Sequence, residues 1–173
     1  MADIYCIDTS ALIAAWYERY KPKRFPKLWD QFDQLVTEGR LVSSALVLAE
    51  CQKRSPELHE WLLEREAMFL APDQDVQLRS AHIINTYKGL VMAGKEKFAA
   101  DPFVIATAEV HGYRVVTEEV GPTSLRKIPG VCNDLQVRGA ISSTCSIPKT
   151  GHLAKRGIPL YGTEPTVVRW GLS

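Results

Sequence analysis

The residues best placed to do chemistry in this chain are acids that stand where the polypeptide changes element. Asp8 closes a short β-branched and aromatic run, Ile4-Tyr5-Cys6-Ile7, and precedes the hydroxyl pair Thr9-Ser10. That puts it at the carboxyl end of a strand apolar on both faces, where open α/β sheets keep their ligand crevice. Glu50 follows Leu46 and Val47 on the apolar face of a helix, and an inward carboxylate needs a cation or hydrogen-bond donors to offset its desolvation. Asp101 opens a helix at Asp101-Pro102, and Glu118-Glu119 follows the strand Tyr113-Arg114-Val115-Val116-Thr117. Strand side chains alternate, so one of these two glutamates turns into the crevice and its neighbour is solvated. Carboxylates gathered in one place repel and raise one another's pKa unless hard divalent cations neutralise them. Mg²⁺ or Mn²⁺ suits such an all-oxygen set. Each acid also has an ordinary explanation: Asp8 and Asp101 as helix caps, Glu50 as a hydrogen-bonded or Arg-paired core residue. Spacing alone leaves both readings open.

The elements that must position these acids alternate between strand and helix, which implies a parallel sheet with right-handed crossovers. A first helix runs from Ser10 to about Tyr20, and Lys21-Pro22-Lys23-Arg24-Phe25-Pro26-Lys27 breaks it. Leu28, Phe32, Leu35 and Val36 mark a second helix, stopped at Gly39 before the strand Arg40-Leu41-Val42-Ser43. Ser44 caps the helix that carries Glu50, and Ser55-Pro56 opens another through Leu58, Trp61, Leu62, Arg65 and Phe69. An amphipathic helix follows from Asp73 to Tyr87, and the chain loosens from Gly89 to Gly94. The helix from Asp101 stops at Gly112, a short one opens at Pro129, and a last strand spans Val137 to Ile141. Residues 142–173 show no period and read as an extended or partner-dependent tail, with a helical turn near His152 to Arg156.

Composition sets outer limits. With 173 residues, 46% hydrophobic and 24% charged, the chain is about one domain with an ordinary core. A formal charge of +1 supplies no general basic surplus, so attraction to a nucleic acid must come from local patches or bound cations. Lys21, Lys23, Arg24 and Lys27, beside Tyr20 and Phe25, form such a patch, able to hold phosphates and stack bases; a solvated connector is the plainer reading. Cys6, Cys51, Cys132 and Cys145 make no C-x-x-C pair, no leader precedes Asp3, and no apolar run spans a bilayer. A reduced cytoplasm is expected. The four histidines lie apart, and no His-Glu-x-x-His, Walker or Gly-x-Ser-x-Gly pattern occurs.

Taken in order, Ile7-Asp8-Thr9-Ser10, Leu48-Ala49-Glu50, Asp101-Pro102-Phe103-Val104-Ile105-Ala106-Thr107-Ala108 and Val115-Val116-Thr117-Glu118-Glu119 resemble the successive motifs of PIN domains, the VapC-like metal-dependent ribonucleases. The resemblance spans about Asp3 to Ile141. It implies an α/β three-layer sandwich around a parallel sheet of four to five strands over residues 1–141, with the tail at 142–173. It also implies that Asp8, Glu50 and Asp101 ligate Mg²⁺ or Mn²⁺, with Glu119 at the place of the fourth acid, and that Thr117 and Ser10 orient the site. The activity implied is endonucleolytic cleavage of RNA by the toxin of a toxin–antitoxin pair, with a cognate antitoxin and a second copy of the chain as protein partners. Departures are visible: the fourth acid is Glu where Asp is commoner, Glu118 could stand in for it, and Val120-Gly121-Pro122 replaces the usual continuation. A haloacid-dehalogenase-type phosphatase would need a second Asp two positions after Asp8, where Ser10 stands. The competing class is a catalytically silent PIN-like module that binds protein or RNA.

Overall fold

The computed structural model describes residues 2–92, 100–138 and 141–142. Strand β1 (Tyr5–Ile7) lies at the centre of a five-stranded parallel sheet and is buried along its whole length. β2 (Leu41–Ser44) pairs with it on one side and β4 (Arg114–Thr117) on the other; β3 (Phe69–Leu70) and β5 (Ile141–Ser142) close the edges, giving the order β3-β2-β1-β4-β5. Register sets Cys6 beside Val42 and Val115 on one face, and Tyr5 beside Leu41 and Ile7 beside Val116 on the other, so the middle of the sheet is apolar on both faces, as a covered parallel sheet requires. From β1 the chain first adds strands on one side and later on the other. The reversal leaves a crevice at the carboxyl ends of β1 and β4, where ligands of open α/β sheets bind. Asp8 and Thr117 stand at those two ends.

Helices flank this sheet in the α/β sandwich expected. α1 (Thr9–Ile13) continues as a π-helical segment, Ala14–Arg19, where the sequence predicts one regular helix to Tyr20. α2 (Pro26–Thr37) leads to β2, and α3 (Ala45–Arg54) starts directly from it, with Ser44 as cap. α4 (Pro56–Leu63) ends well before Phe69. A 3₁₀ turn, Glu66–Met68, intervenes, and Phe69 and Leu70 pair with Ser43 and Ser44. Two residues are too few to show a strand period, so the helical spacing through Phe69 was misleading. α5 (Gln74–Thr86) is capped by Asp73, whose carboxylate accepts the Val76 N–H at 2.9 Å.

Where loosening is expected after Gly89, the chain forms α6 (Lys88–Met92), anchored by buried Leu90. The Arg126 side chain packs closely over Gly89, where an added Cβ would come within 2.9 Å of its Cγ. α7 (Asp101–His111) is apolar on several faces and packs on β1, β2 and β4; it stops at Gly112, whose φ of 71° is the left-handed region that favours glycine. α8 (Ile128–Asp134) precedes β5, which begins at Ile141 rather than Val137; Val137 is instead a buried residue after the helix. The predicted tail beyond residue 142, Cys145 and His152 included, lies outside the described residues. None of the described helices is long and apolar enough to cross a membrane.

Away from the crevice, Trp16, Trp29 and Trp61 form a mutual cluster with Phe32, ring centroids 4.9–5.4 Å apart. The Arg65 guanidinium lies 3.5 Å over Trp61 and grips Asp33 with two hydrogen bonds of 2.5 and 2.7 Å. The cluster ties the π-helical segment to α2 and α4.

Gly130 in α8 offers a test of how tightly the loop after β4 is packed. An alanine in a helix normally gains about 0.5–1 kcal/mol over glycine, but a Cβ at Gly130 would run into the Ser124 backbone carbonyl. Overpacking of about 1–3 kcal/mol should win. Gly130→Ala is therefore expected to lower the urea midpoint at unchanged m-value; a stabilised variant would refute the close approach.

Candidate active site

Asp8 continues the line of β1, its N–H donating to the Val116 carbonyl at 3.0 Å, and its extended backbone turns the carboxylate into the crevice. The side chain is 2% exposed and heavily donated to. Oδ1 accepts the Ala11 N–H at 2.8 Å, the Ser10 hydroxyl approaches both oxygens at 3.0 and 2.9 Å, and Thr117 Oγ1 donates to Oδ2 at 2.8 Å. Asp8 is thus both the cap of α1 and the floor of the crevice. Burial pushes its pKa up to about 6 despite donors that favour the ionised form, and the Glu119 charge adds to the rise. The Glu118 N–H donates to Ser10 Oγ at 3.0 Å and the Glu119 N–H to Thr117 Oγ1 at 3.1 Å. Ser10 and Thr117 therefore join the ends of β1 and β4 through the carboxylate they both touch.

Among the described residues Glu50 has no arginine partner. Its Oε2 accepts the Thr9 hydroxyl at 2.6 Å and its Oε1 the Ala100 N–H at 2.8 Å, so one carboxylate ties α1 to the start of α7. That start carries Asp101. The cap position of α7 belongs to Ala100, and among the described residues the Asp101 carboxylate accepts no hydrogen bond. Burial pushes the Asp101 carboxyl up to about 7, helped by the charges of Glu119, Asp8 and Glu50, with Lys127 opposing. Charges from three acids separated by up to 111 positions in the chain thus converge on Asp101.

The glutamate pair divides as alternation requires, with one difference from expectation. Glu119 faces Asp101, while Glu118 turns away but is not solvated: it is 11% exposed and pairs with Arg19 at 2.5 Å. The π-helical segment delivers Arg19 to that position. Glu119 is also committed, its Oε1 to Lys127 Nζ at 2.9 Å and its Oε2 to the Ile128 N–H at 2.8 Å. Among the described residues no three acid, histidine or cysteine side chains are drawn together tightly enough to hold an ion as they stand. The cluster shares a field rather than a finished coordination shell. Its donor set is nonetheless all oxygen, and Asp8, Glu50 and Asp101 lack a cationic partner among the described residues. Charge and ligand hardness both fit a small divalent ion.

Around this centre, Lys21, Lys23, Arg24 and Lys27 are all exposed. Tyr20 and Phe25 pack edge to face at 5.8 Å, and Tyr20 feels the charge of Glu118, which sets the basic connector on the Arg19 side of the crevice. A shallow concavity lined by Leu46, Ala49, Glu50 and Lys53 opens beside α3. His111 stacks on Tyr113 and lies 3.4 Å from Asp73, remote in role from the acids. Thr9, Arg19 and Lys127 are the contributors that sequence reasoning did not identify. Thr9 was visible only as a capping hydroxyl; nothing in local spacing marks the other two.

The sequence family described as Domain of unknown function (DUF4411) matches residues 5–143. No curated protein matches significantly. Among solved structures, DNA-bound VapBC from Salmonella typhimurium is 18% identical, with a TM-score of 0.50 over 82% of this chain and 99% of that one. VapBC2 from Rickettsia felis bound to a promoter DNA fragment is 15% identical, with a TM-score of 0.46 over 69% and 90%. FitAcB from Neisseria gonorrhoeae is 24% identical, with a TM-score of 0.43 over 73% and 94%. The first likeness bears out the PIN-type fold read from the motifs.

The raised carboxyls make a stability prediction for the metal-free protein. An acid whose folded pKa lies above its unfolded value favours folding fully below the unfolded value, and that advantage is lost as pH rises through the folded one. For Asp8 and Asp101 the loss runs from about pH 4 to about 6 and 7. In chelator, Asp101→Asn should therefore stabilise the protein at pH 8, by on the order of 2 kcal/mol, and far less at pH 4. A variant less stable than wild type at pH 8 would contradict the like-charge crowding.

Proposed function

The chain belongs to the DUF4411 family, and we propose that it is a Mg²⁺- or Mn²⁺-dependent endoribonuclease that hydrolyses RNA phosphodiester bonds as the toxin of a toxin–antitoxin pair. One observation carries the reading: Asp101, whose side chain has no hydrogen-bond partner among the described residues, has its pKa raised first by burial and further by the charges of Glu119, Asp8 and Glu50 at the carboxyl edge of a parallel sheet. Such repulsion is costly to maintain in a fold unless a ligand of opposite charge relieves it. Asp8, Glu50 and Asp101 would hold the ion. When bound, it supplies charge neutralisation at a phosphodiester and activation of the attacking water. The chain's own residues do the rest. Ser10 and Thr117 fix the Asp8 carboxylate, Glu50 fixes the start of α7 through the Ala100 N–H, and Thr9 fixes Glu50.

The exposed cations Lys21, Lys23, Arg24 and Lys27 would bind the phosphates of single-stranded RNA outside the crevice. The fold shared with DNA-bound VapBC supports an antitoxin protein as partner. The cytoplasm is the compartment proposed, consistent with Cys6, Cys51 and Cys132 being free and buried among the described residues.

Mixed RNAs incubated with Mn²⁺ should be cut, and chelator should stop the cutting. Asp8→Asn and Asp101→Asn should each lower the rate by at least about 100-fold, the loss of a few kcal/mol of transition-state stabilisation. Undiminished cleavage by both variants would remove these acids from the reaction; no metal-dependent cleavage, with RNA binding retained and a melting temperature indifferent to Mn²⁺, would favour the silent binding module instead. Neutralising the four connector cations should weaken RNA binding and flatten its salt dependence, with turnover at saturating RNA little changed. An unaltered salt slope would remove them from the interface.

A further inference from the structure

The Lys127–Glu119 pair is the feature that the proposed chemistry does not absorb. Both oxygens of Glu119 are engaged, one by the Lys127 ammonium at 2.9 Å and one by the Ile128 N–H at 2.8 Å. The backbone of the lysine is held. It directly precedes α8, its N–H donates to the Ser124 carbonyl at 3.0 Å, its own carbonyl accepts from Val131 at 3.1 Å, and the loop behind it is seated against Gly130. With the lysine side chain 45% exposed, the pair contributes little to stability. Its meaning lies in where the ammonium stands, within the field that Asp101 feels. Four carboxylates and one ammonium leave three negative charges. One divalent ion reduces these to one; a second would make the pocket net positive, against a background built to attract cations.

We propose that Lys127 is a resident cation that limits the site to a single divalent ion, and that Glu119 is the anchor of this lysine rather than a metal ligand. The inference rests on the nuclease reading and narrows it: Asp8, Glu50 and Asp101 take the ion, and Lys127 occupies the place of a second. Lys127 is then a positioning residue for charge at the pocket, and metal stoichiometry reports its role independently of turnover.

The test is calorimetric titration of the full chain with Mn²⁺, paired with thermal melting. Wild type should bind a single ion. Lys127→Ala should take up a second, Lys127→Arg should keep one, and Lys127→Ala combined with Glu119→Gln should return to one, locating the extra ion on the freed glutamate. Glu119→Gln alone should change the affinity for the first ion by less than about 100-fold, the range of outer-shell effects. Wild type binding two ions, or Lys127→Ala still binding one, would overturn the role of Lys127 while leaving the nuclease reading intact. A wild type that binds no Mn²⁺ would overturn both. Should Lys127→Ala not fold, Glu119→Gln decides, and a loss above about 100-fold would make Glu119 a ligand.

Discussion

The constraint on which the structure turns is like charge held at one end of a parallel sheet. Placing Asp8, Glu50, Asp101 and Glu119 in mutual reach costs folding energy, because burial removes the water that would screen them. The chain offsets part of that cost with neutral donors: the hydroxyls of Thr9, Ser10 and Thr117 and the backbone N–H groups of Ala11, Ala100 and Ile128. Among the described residues no arginine pairs with these four acids: Arg19 meets Glu118 at the side of the crevice, Arg65 meets Asp33 and Arg79 meets Glu109. Neutral donors hold an ionised carboxylate in position while leaving its charge uncancelled, whereas a guanidinium would cancel it and occupy the same lone pairs.

Packing far from the crevice serves the same end. The tryptophan cluster fixes the π-helical segment against α2 and α4, and that segment ends at Arg19, which draws Glu118 aside. Glu118 cannot then compete with Glu119 for the inward position. A regular helix from Thr9 would deliver residue 19 at a different angle, since each π-type turn holds an extra residue and rotates the side chains beyond it. The apolar side of the molecule therefore helps to choose which of two adjacent acids faces Asp101.

Much of this was legible in the sequence wherever a local rule and the global fold agreed. Asp8 closes a strand and caps a helix, Gly112 stops α7 in the left-handed region, and Ser44 passes β2 straight into α3. Glu50 stood out because its spacing from Val47 makes it inward whatever its partner. The gaps are of one kind. β3 is two residues long and takes its form from β2 rather than from its own pattern. Glu118 is buried because a distant segment brings Arg19 to it, against the plain rule that the outward neighbour is solvated. Lys127 became part of the site through the turn that comes after Glu119, and no periodicity encodes a loop that folds back on its own strand end.

A carboxylate with satisfied hydrogen bonds is sometimes taken to be purely structural, and Glu50 and Asp8 both meet that description. The geometry argues otherwise for the set. Each carboxylate oxygen has two lone-pair positions, and the contacts to Glu50 take one on each oxygen, leaving acceptor capacity on both. Asp101 has no structural bond of this kind: it caps nothing and its carboxylate accepts no hydrogen bond among the described residues, yet it bears the charge of three neighbours. Keeping an acid in that situation costs the fold stability, and carboxyls shifted by burial and by neighbouring charge in this way cluster at functional sites.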